Sequence, residues 1–429
     1  MNTRPLLASL LLALHSPASA AGFDFVPLAE SAWTQMTSDE EILGTTPWVL
    51  PEGFGQRLLS DESDLDIYRG NDWTDMHTLN ETGLHAGRYL YRTHEVRPIN
   101  DRMNDGREGG AVSVVDLETG KTALLASRRD WEAVDGIVWT PWNTLLVTEE
   151  QKNRGRPDPD WPHASRGLVY EILLDAQDPS RARQVLARPL LGSLTHEGIE
   201  IDADGNIYVI DENRNGGIYR FVPEKPGRLD SGRLFALRVT NDEQTGAAEW
   251  LPLQLDPETF DAREAARNTG ASAWCRPEDI ERIDATLFVA LTCEGPGGAI
   301  LSVSLGTESP QVARFVEPGI NVPRESALLR RTGLRHPDNL ADGPDGRLWI
   351  AEDNAPGDIW VAEPDRDGDG RSDRVSLFAS IRDSKAEPSG IYFGRDPLRL
   401  HVAIQHSVTG NDKTIVIEPD QGSGDPGAE

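Results

Sequence analysis

The sequence predicts an all-β protein, a β-propeller of about six blades around an acidic, metal-lined central channel, and three observations carry that prediction. Short strand–turn–strand units recur along the 429 residues. Tight-turn signals such as Asp204-Gly205 and Asp345-Gly346 join paired strands, and an acid or a histidine closes each unit. The closing positions Glu95, Glu150, Glu212, Glu294, Asp353 and His406 stay in phase. Repeated β-units of that kind close into a ring whose inner strands share one axis.

In chain order, Arg4, the apolar run Leu6–Leu14 and Ala18-Ser19-Ala20 read as a Sec-type signal peptide over residues 1–20. A periplasmic or secreted location follows as an expectation. Residues 21–418 are expected to form one propeller domain, with 21–75 wrapping the ring or closing it, and 419–429 to be a disordered tail. The first unit places Leu84-His85 ahead of Tyr89–Tyr91 and ends at Thr93-His94-Glu95. In the second, Asp135-Gly136-Ile137 leads to Thr144–Val147 and Glu149-Glu150. The third runs from Glu197 through Ile199–Ile201 and Ile207–Ile210 to Asp211-Glu212. A short helix is expected from Asp256-Pro257 to about Asn268. The remaining units start at Arg276-Pro277-Glu278, His336-Pro337-Asp338 and Glu387-Pro388-Ser389. They end at Glu294, Asp353 and His406.

With 42 basic and 71 acidic side chains the net charge is −29, which excludes nucleic acid as a partner. No apolar run beyond the signal peptide is long enough for a membrane. A monomer acting on a small anionic molecule is expected. The two cysteines, Cys275 and Cys293, flank one hairpin. A disulfide and a free buried pair both fit that spacing, and an oxidising compartment permits the first.

Most of the acids read as a solubilising surface, but those at hairpin ends converge on the channel, where they repel one another unless cations lie between them. Asp135, Glu149, Glu150, Glu197, Asp211, Glu212, Glu278, Asp338 and Asp353 are the expected ligands. Carboxylates alone select hard cations, so several calcium ions are expected. A separate stretch sets Asp365, Asp367, Asp369 and Asp373 at calcium-loop spacing with Gly370 at the turn. Ser376 stands where such loops end in glutamate. His94, His196, His336 and His406 stand beside the acids, and His196 is the expected acid/base group. Arg276, one rigid proline from Glu278, is placed to grip an anion.

The motifs H-E-G-I-E-I-D, G-N-I-Y-V-I-D-E, R-P-E-D, P-D-N-L, D-G-R-L-W-I-A-E-D, T-P-W-N-T-L-L-V-T-E-E and L-H-V-A-I-Q-H together resemble those of PhoX-type alkaline phosphatases, in order over about residues 84 to 410. The resemblance implies a six-bladed propeller that holds calcium ions and an oxo-bridged iron pair and hydrolyses phosphomonoesters. It implies Glu150, Glu197, Glu212 and Glu278 as metal ligands and Arg276 as the phosphate binder. The family's cysteine ligand to iron falls on Asp135 here, which disfavours Fe³⁺ and suits an all-oxygen calcium site. The hairpins D-G-N-I-Y-V and D-G-R-L-W-I-A-E-D also resemble those of calcium-dependent lactonase propellers. A non-catalytic, calcium-stiffened binding propeller is the third alternative.

Overall fold

The computed structural model describes residues 23–65, 73–96, 109–151, 158–164, 167–241, 244–295, 297–306, 309–317 and 333–420. The expected signal peptide and nearly all of the expected tail lie outside these residues.

Six antiparallel blades follow one another along the chain. Blade I comprises Trp73–Leu79, Tyr89–Glu95, Ala111–Asp116 and Lys121–Ser127. Blade II comprises Val134–Trp139, Thr144–Glu149, Val169–Asp175 and Asp178–Ala187. Blade III holds Ile199–Ile201, Ile207–Ile210, Ile218–Pro223 and Gly232–Val239. Its extra outer strand, Gly246–Pro252, also pairs with the outer strand of blade IV, joining the two sheets. Blade IV holds Pro277–Ile283, Thr286–Leu291, Ala299–Ser304 and Gln311–Val316. Blade V holds Pro337–Asp342, Leu348–Glu352, Asp358–Ala362 and Val375–Ile381. In blade VI the chain supplies Glu387–Tyr392, Leu400–Gln405 and Lys413–Pro419, and the outermost strand is Phe54–Asp61 from the other end of the sequence.

That last pairing joins a strand from the N-terminal stretch to the last blade. The expected boundary at residue 75 needs correction, because Trp73–Leu79 is already the inner strand of blade I. Leu84-His85 lies in the turn that follows it. The expected helix is also shorter: Asp256 caps a turn through the backbone N–H groups of Glu258 and Thr259, and the helix runs from Ala262 to Thr269 with Asp261 as its cap.

Second strands of the blades are buried end to end, as in Thr144–Glu149 and Leu400–Gln405, whereas the outer strand Lys121–Ser127 is largely exposed. This explains why the second strands read as unbroken apolar runs rather than alternating ones. Apolar side chains fill the wedges between blades. Between V and VI, Trp349 and Phe378 are fully buried with rings 4.7 Å apart, and Phe23 packs edge-on against Trp349 at 5.5 Å. Each such side chain contributes about 1.5–3 kcal/mol by leaving water. At its far end the channel widens into a cavity of about 730 Å³ bordered by Trp139, Glu200, Glu281 and Asp342.

Candidate metal centre and anion site

Inner strands pack unusually closely at one mouth of the channel. A Cβ on Gly136 would sit 2.0 Å from the Glu197 carbonyl oxygen, and one on Gly198 would sit 2.2 Å from Asp279 Oδ1. Only glycine permits that approach. Asp279 staples blade IV to blade V by accepting the N–H of Ile280 at 2.7 Å and of Leu340 at 2.8 Å. Asn339 does the same for blade VI through the Gly390 N–H at 2.9 Å.

Four inner strands carry a β-bulge at their acid. Register slips between Thr74 and His77, Val134 and Ile137, Pro277 and Ile280, and Pro337 and Leu340. These intervals contain Asp75, Asp135, Glu278 and Asp338. A bulge re-aims the side chain it carries. Here the result is two carboxylate groups whose oxygens lie within 4.8 Å of one another: Asp75, Glu95 and Asp135, and Glu197, Glu278 and Asp338. Hydrogen bonds from the Ser389 hydroxyl and from Gln405 Nε2 at 2.9 Å hold Asp75 in place.

Among the described residues no hydrogen bond reaches Asp135 Oδ1 or Asp338 Oδ1, although both atoms are buried. Burial pushes Asp75, Asp135, Glu197 and Asp338 well above the ordinary carboxylate range, and neighbouring acids push further. Glu278 is raised to about 8 by burial and by Glu212. Orphaned, mutually repelling oxygens of this kind fit a hard divalent cation. The donor set offers no thiolate, because Cys275 and Cys293 form a disulfide.

Above the triads stands a second tier, built from tandem residues at the ends of the second strands. The first member of each pair turns away from the axis. Glu149 accepts the N–H of Glu132 at 3.0 Å and of Gly167 at 2.9 Å. Asp211 is fully buried, accepts the Thr195 N–H at 3.0 Å and is paired with Arg263. Glu352 accepts from Arg335 N–H and the Trp360 indole. The expectation that Glu149 and Asp211 are ligands is therefore corrected: their oxygens already serve the protein's own donors. His196 is corrected too. Its ring is fully buried and its Nε2 lies 2.9 Å from the Gly192 carbonyl, so it cannot meet a substrate.

The second members face inward. Glu150 lies near enough to Asp135 to raise its pKa. Glu212 Oε1 accepts from Arg276 Nε at 2.7 Å, and Asp353 Oδ2 is 3.7 Å from Arg276 Nη1. Glu294 departs from this pattern by binding Arg314 at 3.0 Å. Arg276 Nε is also 3.0 Å from Glu278 Oε1. Burial works against the Arg276 charge, but Glu278, Glu212 and Glu197 outweigh it and raise its pKa. Its backbone is held at φ 46° between the Asn213 carbonyl and the Thr292 N–H, next to the disulfide.

The loop at Asp365 forms a third carboxylate group, of Asp365, Asp367 and Asp373. Asp369 is not part of it, since its Oδ1 accepts the Arg371 N–H at 2.8 Å. Asp75 is the residue that sequence reasoning missed, together with Glu95 as a member of its triad. Glu95 could have been found from its place among the closing acids. Asp75 has no turn or acid doublet to mark it.

The family model of the alkaline phosphatase PhoX matches residues 136–407. The chain belongs to the PhoX family. No functionally curated protein matches the sequence. Among solved structures, Pseudomonas fluorescens PhoX in complex with vanadate, a transition state analogue, is similar at a TM-score of 0.63 and 19% identity, covering 93% of this chain and 98% of that one. A gluconolactonase from Xanthomonas campestris is similar at 0.45 and 13% identity, covering 93% and 98%. A virginiamycin B lyase from Staphylococcus aureus is similar at 0.46 and 14% identity, covering 85% and 99%. PhoX membership makes a phosphatase-like hydrolase the expected class, and the PhoX structure shares the fold. No helix among the described residues is long and apolar enough to cross a membrane.

Proposed function

We propose that this chain is an exported, calcium-dependent phosphomonoesterase acting at the acidic mouth of the propeller channel. One observation supports this above the others: Arg276 stands 3.0 Å from Glu278 at one of two carboxylate triads, in which Asp135 Oδ1 and Asp338 Oδ1 are buried without a donor among the described residues and fit cations. Asp75, Glu95 and Asp135 would hold one ion, and Glu197, Glu278 and Asp338 another, with Glu150 and Glu212 completing the upper tier. Calcium bound there supplies positive charge that polarises the phosphorus–oxygen bonds and steadies the charge on the phosphoryl oxygens.

The chain's own residues do the rest. Glu212 fixes the guanidinium through Nε. Nη1, beyond hydrogen-bond range of Asp353, is offered to the ester's phosphoryl oxygens, where a charge-assisted bond strengthens as charge develops. The exposed Asp365–Asp373 loop is read as a separate, weaker calcium site with a structural role. Export is supported by the N-terminal leader motif and by the disulfide, which suits an oxidising compartment.

The test is a side-by-side assay of an aryl phosphate and a simple lactone, with calcium supplied and then chelated. Phosphate release should vanish on chelation and fall about 10²–10³-fold in Arg276→Ala. Turnover of the lactone alone, indifferent to Arg276, would transfer the assignment to a lactonase.

A further inference from the structure

The upper tier contains one residue that is not an acid. His406 occupies in blade VI the position that Glu95, Glu150, Glu212, Glu294 and Asp353 occupy in the other five. Its Nε2 lies 3.2 Å from Glu387 Oε1, its ring stands edge-on against Trp73 at 4.5 Å, and its side chain is 36% exposed. Glu387 also shares a hydrogen bond with Asp353. Asp353 in turn is the residue beside Arg276 Nη1. A line of partners thus crosses the mouth from Arg276 through Asp353 and Glu387 to His406, spanning blades IV, V and VI. Three histidines on other blades are committed elsewhere: His77 to the Gly390 carbonyl and Thr414, His94 to Ser113, His196 to Gly192.

We propose that His406 is the general acid of this site, with Glu387 as its positioning residue, protonating the leaving-group oxygen of a phosphomonoester gripped by Arg276. The inference rests on the phosphatase reading. In the step, an oxygen of water forms a bond to phosphorus as the ester P–O bond breaks. The electron pair of that bond stays on the alcohol oxygen, which takes the proton from the imidazolium. The proton given up by the attacking water returns to the ring through solvent, so water and ester become alcohol and phosphate. With Nε2 turned to Glu387, Nδ1 is the nitrogen that faces the leaving group.

The surroundings suit an acid. Glu387, Asp412 and Glu95 all favour the protonated ring and outweigh the opposing effect of burial, so its pKa is raised. A raised pKa favours the protonated form that a general acid needs.

Leaving-group dependence tests the idea. An alkyl phosphate needs its leaving oxygen protonated, whereas a nitrophenyl phosphate departs without help. His406→Ala should lower kcat on the alkyl phosphate about 10²–10⁴-fold and on the nitrophenyl ester less than about tenfold. Added imidazole should restore part of the alkyl activity, which a structural role would not allow. His406→Gln, which preserves bulk, guards against a folding defect and should behave like the alanine variant. Equal losses on both esters, or no loss on either, would overturn the proposal. Wild-type protein that releases phosphate from neither ester would instead remove the phosphatase reading, and this inference with it.

Discussion

The channel mouth and the Asp365–Asp373 loop both gather carboxylates, yet they satisfy them in opposite ways. In the loop, Asp365 accepts N–H groups from Gly368, Asp369 and Gly370, and Asp367 accepts from Asp369. Water and backbone together carry that charge. In the channel, Asp135 and Asp338 each keep a buried oxygen with no donor among the described residues, and their neighbours are more acids. Acidity alone therefore says little about a cation. What matters is whether the protein has supplied its own positive partners.

The sharpest way to break this contrast is to turn a satisfied acid into an orphan. Arg263→Ala would leave Asp211 buried and unpaired, and should cost about 3–5 kcal/mol in a denaturant titration while leaving cation content unchanged. Next comes the reverse change, in which a crowded acid becomes neutral. Glu278→Gln should weaken cation binding about 10–100-fold by calorimetry, yet stabilise the cation-stripped protein at pH 8 because one repelling charge is gone.

The pH dependence sharpens the point. Burial raises Glu278 to about 8 and Glu387 to about 7, so the folded, cation-free chain binds more protons than the unfolded one above their ordinary range near 4.5. The stripped protein should accordingly lose stability as pH rises from about 4.5 to 8, and saturating calcium should flatten or invert that slope in thermal melts. Smallest of all should be Asp367→Asn in the loop. Without calcium it should shift stability by less than about 0.5 kcal/mol, with only the calcium-dependent increment lost.

Blade number and the second triad were legible because each blade repeats a short signal: H-E-G-I sets Glu197 just ahead of its strand, and P-E-D-I and P-D-N-L mark the bulges that aim Glu278 and Asp338. The first triad was half hidden. Asp75 sits in Trp73–Leu79, whose bulge has neither a glycine or asparagine like Gly136 and Asn339 nor a proline like Pro277, so its strand passed for part of the N-terminal wrap. The tandem acids misled for another reason. Strand alternation says that one of Glu149 and Glu150 faces the axis, as for Asp211 and Glu212. Which one does depends on where the bulge falls, and that is fixed by pairing with a neighbouring strand. His196 was misread because its acidic neighbour Glu197 turns inward while its own ring turns out, toward Gly192.

Ring closure carries a consequence for assembly. Phe54–Asp61 pairs with Lys413–Pro419, and Asp75 is held by Ser389 and Gln405. These contacts join nearly opposite ends of the sequence, so a large loop-closure entropy must be met before either forms. Blades II to V can fold from local contacts while the rest of the chain is still emerging. The triad of Asp75, Glu95 and Asp135 cannot, because one of its members is held in place only by the last blade. That carboxylate group is thus completed at the end of folding, and a chain interrupted before Gln405 has blades without it.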